Sequence, residues 1–166
     1  MCKFLILAFW VCLVLPRYAE SAEAVSGYEI TKVNHELINE KGFTHESIAD
    51  FVAKAQYQQE LAASKSASGL RFIVHWRVPS SRISNFVVKV QARGLDANTQ
   101  REIEESVTKI YPQTPSSTGW AFLDIEGESA KRLGKLMAWK VTLFQNNNPV
   151  ATRKSLMWDD SFHPKN

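Results

Sequence analysis

The chain has 166 residues, 45% of them apolar, with 20 lysines and arginines against 17 aspartates and glutamates and a net charge of +3. The basic residues are interspersed and adjoin only in pairs such as Lys131-Arg132 and Arg153-Lys154, which excludes the basic stripe of a nucleic-acid or anionic-membrane binder. Both cysteines, Cys2 and Cys12, lie near the start, so the rest of the chain has no thiol for a disulfide, a thiolate nucleophile or a Cys-ligated metal.

In chain order, the first expected element is a cleavable secretory signal over residues 1–24. Met1-Cys2-Lys3 is a short positive start, an apolar run from Phe4 to Leu15 ends at Pro16, and Ala22-Glu23-Ala24 supplies a small-residue exit. The run is shorter than the roughly 20 residues that span a bilayer. Bulky Phe9, Trp10 and Val11 before Cys12 argue against a lipid-attachment site. The mature protein is expected to start near Val25, or near Ala22, and to carry no stable membrane span. With no thiol and no Asn-X-Ser/Thr acceptor, its expected place is a bacterial envelope, periplasmic or extracellular.

Residues 25–63 read as an α-helical hairpin. Ile30, Val33, Leu37 and Ile38 recur at helical spacing before Gly42. Thr44 then serves as N-cap of a second helix, with Phe43 and Ile48 placed as a staple and Phe51, Val52, Ala55 and Ala62 on its buried stripe. Residues 64–69, Ser-Lys-Ser-Ala-Ser-Gly, read as a flexible connector.

Over residues 70–160 the period changes to two. Leu70, Phe72, Val74, Trp76 and Val78 alternate with Arg71, His75 and Arg77, and Phe86, Val88, Val90 and Ala92 alternate with Lys89, Gln91 and Arg93. Trp120 to Ile125 gives a third strand. Met137, Trp139, Val141 and Leu143 form the apolar face of a fourth, with Thr142 opposite. A turn at Gln145-Asn146-Asn147-Asn148-Pro149 leads into a fifth strand, Val150 to Trp158. Residues 97–111 predict a helical turn near 99–105, from the capping-box spacing of Thr99 and Glu102, followed by a strand to Tyr111. The fold expected is mainly β, an immunoglobulin-like antiparallel β-sandwich behind the helical hairpin, with a tail at 161–166. The alternative is α+β, a single antiparallel sheet covered by helices.

Catalytic patterns are missing at the level of motif. His35-Glu36 and His45-Glu46 open like a zinc-protease helix, but Asn39 and Ala49 stand where the second histidine belongs. There is no Gly-X-Ser-X-Gly elbow and no phosphate loop, and neighbours such as Glu104-Glu105 point apart on regular structure. His75 reads as a sheet-face histidine between Arg71 and Arg77, while Asp159, Asp160 and His163 read as a solvated tail. No catalytic residue, metal or cofactor is assigned.

The candidate binding residues are Thr114, Pro115, Ser117, Thr118 and Gly119, with Trp158 as a partner-facing aromatic. Around them, Pro115 to Phe122 contains a Thr-Gly-aromatic-Ala-aromatic string, which resembles the first binding loop of chagasin-like inhibitors of cysteine proteases. The string departs from that family at Thr114, where Asn is expected, and the family's later glycine-rich loop and Arg-Pro-Trp are not found. The plainer reading is an inter-strand loop, with Trp120 or Phe122 entering the core. The function expected is an exported non-enzymatic binding or structural module of the cell envelope, with a protein partner and no nucleic acid. The alternatives are a small secreted inhibitor or ligand-binding protein acting through loop 112–119, and an envelope hydrolase with an unrecognised site.

Overall fold

The computed structural model describes residues 25, 27–39, 55, 58, 59, 67–96 and 99–161. The expected leader lies outside them, as does most of the second helical arm; its described residues, Ala55, Gln58 and Gln59, are helical. Among the described residues the elements are β1 (Glu29–Asn39), β2 (Ala67–Arg77), β3 (Ser84–Leu95), β4 (Glu102–Gln113), β5 (Thr118–Glu126), α1 (Gly127–Leu133), β6 (Lys135–Gln145) and β7 (Asn148–Lys154). No helix among them is long and apolar enough to cross a membrane.

The strands form two antiparallel sheets, ordered β1-β2-β5 (sheet A) and β4-β3-β6-β7 (sheet B). Their inner faces meet in one core, with Phe72, Val74, Trp76, Leu123 and Ile125 from sheet A and Phe86, Val88, Val90, Val141 and Leu143 from sheet B. Over the strands and their connections the described residues are thus mostly β, a sandwich of two sheets with the short helix α1. The alternative of a single sheet covered by helices is set aside. The apolar–polar alternation read in β2 and β3 is the alternation between this core and the outside, whereas in β6 a register shift opposite Arg93 and Gly94 breaks it and leaves Met137, expected on the core face, 39% exposed.

One end of the core is aromatic. Trp76 and Phe86 lie 5.0 Å apart, and Tyr111 lies 6.0 Å from each. A methyl group on Gly119 would stand 2.4 Å from Cζ2 of Trp76, so β5 passes beneath the indole only as glycine. The β6–β7 hairpin turns where expected. Asn146 and Asn147 hold positive φ of 49° and 66°, the paired left-handed geometry of a two-residue hairpin turn.

Four expectations are corrected. Residues 29–39 are strand β1, not a helix. A bulge between Ile30 and Lys32 inserts a residue, so Ile30 and Val33, three apart, both face the core. That bulge imitates a helical period. Residues 99–105 form no helical turn: the Asp96 carboxylate accepts the Thr99 N–H at 2.8 Å, Asp96 N–H reaches Arg101 O at 2.9 Å, and β4 begins at Glu102. The connector is shorter than drawn, because Ala67–Gly69 already pair in sheet A. The last strand ends at Lys154, and Trp158 N–H closes a turn onto Ser155 O at 3.0 Å. Helix α1, seven residues long, was not foreseen.

Candidate functional site

The loop residues singled out in sequence divide between structural and exposed positions. Thr114 is 1% exposed and ties two loops together. Its Oγ1 accepts Ile83 N–H and its own N–H donates to Ile83 O, both at 2.9 Å, while its carbonyl accepts Arg82 N–H at 3.1 Å. Gly119 is used by Trp76. Pro115, Ser117 and Thr118 are exposed, with Ser117 O accepting Val78 N–H at 2.8 Å and Thr118 opposite Arg77.

Trp158, expected to face a partner, is buried at 5% exposure. The chain after β7 folds back over the outer face of sheet B. Ser155 exchanges bonds with Trp139, its N–H donating to Trp139 O at 2.9 Å and its hydroxyl accepting Trp139 N–H at 3.0 Å. The Trp158 ring then lies 3.7 Å from the Arg93 guanidinium and 4.8 Å from Lys140 Nζ. Its indole N–H donates to Asp160 at 2.8 Å, and Asp160 also accepts from Lys140 at 3.3 Å and Lys154 at 3.2 Å. These bonds, the indole's first, hold the Asp160 carboxyl at about 2. Burial raises the Glu104 carboxyl, but bonds from Arg93 (2.9 Å) and Gln91 (2.7 Å) outweigh it and leave it below its ordinary value. The residues from Ser155 to Asp160 are therefore a strap, not a solvated tail.

Trp120 and Phe122, expected to supply a core aromatic, both point outward at 47% and 41% exposure. Their phase is visible in β5: Gly119, Ala121, Leu123 and Ile125 face the core, while Trp120, Phe122, Asp124 and Glu126 take the other face. Asp124 and Glu126, in phase with the aromatics, are the sequence signal that marks this face as outer.

The outer face of sheet A is a grid fixed by strand register. Across β1, β2 and β5 its rows run Glu36–Arg71–Asp124, Asn34–Ile73–Phe122, Lys32–His75–Trp120 and Glu29–Arg77–Thr118. At one end Arg71 grips Asp124 through two bonds of 2.7 Å. At the other, Arg77 meets Glu29 at 3.2 Å. Between these ion pairs the surface is aromatic: the His75 and Trp120 rings are 4.4 Å apart, Thr31 Oγ1 is bonded to His75 Nδ1, and Phe122 lies opposite Ile73. The aromatic centre of this face is thus rimmed by two closed ion pairs.

Glu104 lies on the outer face with Arg93, whereas Glu105 takes the inner face and pairs with Arg132. Among the described residues no three His, Cys, Asp or Glu side chains are grouped to hold a metal. A cleft of about 1290 Å³ opens between the end of β1, the start of β2, α1 and β6, walled by Leu37, Leu70, Leu133 and Leu136. Two polar groups on its lining are bonded within the chain: the Gln58 amide to Leu37 N–H and C=O at 2.8 and 3.1 Å, and Lys131 to Glu128 at 2.7 Å.

No family model matches the chain, and no curated protein matches it. Among solved structures it is similar to a crystal structure of a protein from Akkermansia muciniphila, at a TM-score of 0.49 and 14% identity, over 77% of this chain and 68% of that one.

Proposed function

We propose that the chain is an exported, non-enzymatic binding module of a bacterial cell envelope that engages a protein partner through the outer face of sheet A. The observation that carries this is the pair Trp120 and Phe122, nearly half exposed on a regular strand between two ion pairs. Solvent-facing aromatics of this size gain most when a partner removes them from water, and such residues are enriched at interface centres. The immunoglobulin-like reading of the sandwich is supported by strand order: strands one, two and five share one sheet, and the third, sixth and seventh share the other, with the fourth beside the third. Action through loop 112–119 has no equivalent support, since Thr114 and Gly119 serve loop anchoring and core packing.

Placing a photoreactive phenylalanine at position 122 in the exporting cell tests this. A discrete cross-linked protein species is expected from position 122 and not from exposed Thr108 on sheet B. Equal labelling from both, or none from position 122, would overturn the reading.

A further inference from the structure

We infer that the partner of this face is a second copy of the chain, joined by antiparallel pairing of β5 with β5 about a two-fold axis at Phe122. This rests on reading Trp120 and Phe122 as the binding surface and adds the identity and geometry of what packs beside them.

The argument begins with the strand edges. A sheet edge exposes unpaired N–H and C=O groups, and proteins normally block it with bulges, lysine, proline or a covering side chain. Strand β1 has a bulge, the Gln58 amide bonded to Leu37, and Arg153 Nη1 on the carbonyls of Ile30 and Thr31 at 3.0 and 2.7 Å. Strand β4 carries Lys109 and Pro112. Strand β7 is seven residues long, has a register shift, and carries Pro149, Arg153 and Lys154. Strand β5 has fewer of these: it contains no lysine, arginine or proline and pairs with β2 without a register shift over its whole length, and the side chain that reaches its edge is Tyr111, on the Trp120 carbonyl.

Its free edge presents the right backbone groups. Tyr111 donates its hydroxyl to Trp120 O at 3.3 Å from the β4 side, so this carbonyl points away from β2. Antiparallel alternation gives Phe122 and Asp124 the same orientation. The backbone groups of Trp120, Phe122 and Asp124 thus line the edge, and their side chains line the adjoining outer face. A carbonyl has two lone pairs, so the Tyr111 bond does not prevent Trp120 O from accepting a second donor.

The strand is complementary to itself in one register. A two-fold axis at Phe122 sets Phe122 against Phe122 of the second copy, Trp120 against Asp124, and Thr118 against Glu126. No like charges face one another, and the central pair is aromatic, the favourable cross-strand arrangement. Each Trp120 comes to the end of the grid where Arg71 holds Asp124, a setting of cation and carboxylate for its ring and N–H. The same patch on both copies is consumed, so the assembly closes as a dimer and does not propagate.

The test is sedimentation of the exported protein at rising concentration together with a disulfide trap. A dimer is expected for the wild type, and for Phe122→Lys a monomer whose melting temperature matches that of the wild type diluted until it dissociates. In a full chain carrying Cys2→Ser and Cys12→Ser, Phe122→Cys is expected to oxidise to a covalent dimer, since hydrogen-bonded antiparallel neighbours have Cα atoms about 5.5 Å apart, within disulfide reach. Thr108→Cys in the same background is expected to stay monomeric. A wild type that remains monomeric, or a dimer trapped equally well from position 108, would overturn the inference. If a monomeric wild type still yields a cross-link from position 122 to a different protein, self-pairing fails and the binding-face reading stands. If no cross-link forms at all, both fail.

Discussion

A methyl group on Gly119 would stand 2.4 Å from Cζ2 of Trp76, an indole itself only 1% exposed. Gly119→Ala is therefore expected to destabilise by about 1–3 kcal/mol, the usual cost of overpacking a core. A urea midpoint that falls at unchanged slope would show it. The same contact explains why sequence reasoning sent an aromatic of β5 inward. Large aromatics are the obvious core candidates, but the room is already filled by Trp76 from β2, and β5 answers with glycine and alanine inside and Trp120 and Phe122 outside. Trp139 is also less buried than its alternation suggests. It packs against the core only in part, so Trp139→Ala is expected to cost less than the 3–5 kcal/mol typical of a fully buried aromatic. Thr142, opposite it, is 7% exposed and is not the neutral surface position its alternation implies. The Asp160 carboxyl, held at about 2 by the Trp158 N–H and then by Lys154 and Lys140, contributes to the strap above the ordinary aspartate range. That contribution is lost as pH falls through the folded value. Trp158 emission, taken as the difference from Trp158→Phe, is expected to stay constant from neutral pH through the ordinary carboxylate range and to shift only as pH approaches about 2. A shift centred on the ordinary aspartate value would show that the strap bonds are not made.

Strands with unbroken alternation were legible before the structure, and β2 and β3 fall where their patterns place them; β6 follows its pattern from Trp139 onward, while a register shift turns Met137 out of the core. The β6–β7 turn was legible for a different reason: consecutive asparagines tolerate the left-handed backbone a tight hairpin needs. Strand β1 was not legible because its bulge converts a two-residue period into a three-residue step between Ile30 and Val33. Helix α1 escaped notice because seven residues are too few to establish a period. At this scale Gln58 has a specific role, its side-chain amide supplying the donor and acceptor a neighbouring strand would have given to Leu37. Gln58→Ala is expected to weaken this edge by about 1 kcal/mol per bond. The measurement is amide hydrogen exchange, where Leu37 N–H is expected to lose protection while β3 amides keep theirs. Unchanged exchange at Leu37 would mean that the clamp contributes nothing.

The two-sheet architecture was legible because it follows from many alternating positions at once, whereas the candidate site depended on the phase of one strand and the path of the last few residues. Loop 112–119 stands out in the sequence for its Thr-Gly-aromatic-Ala-aromatic string, yet Thr114 and Gly119 serve the sandwich itself. Trp158 was chosen for its place beside two aspartates, yet one of those aspartates is what fastens it to Lys140 and Lys154. The proposed binding surface is instead the aromatic centre of sheet A with the edge of β5 beside it. Hydrogen exchange at β5, followed from dilute to concentrated protein, tests this most directly. In dilute solution the Ala121 and Leu123 amides, directed at β2, are expected to be protected while those of Phe122 and Asp124 exchange freely. Raising the concentration is expected to protect Phe122 and Asp124 and leave Ala121 and Leu123 unchanged. Protection of Phe122 and Asp124 already complete at high dilution, or free exchange at every concentration, would contradict the account.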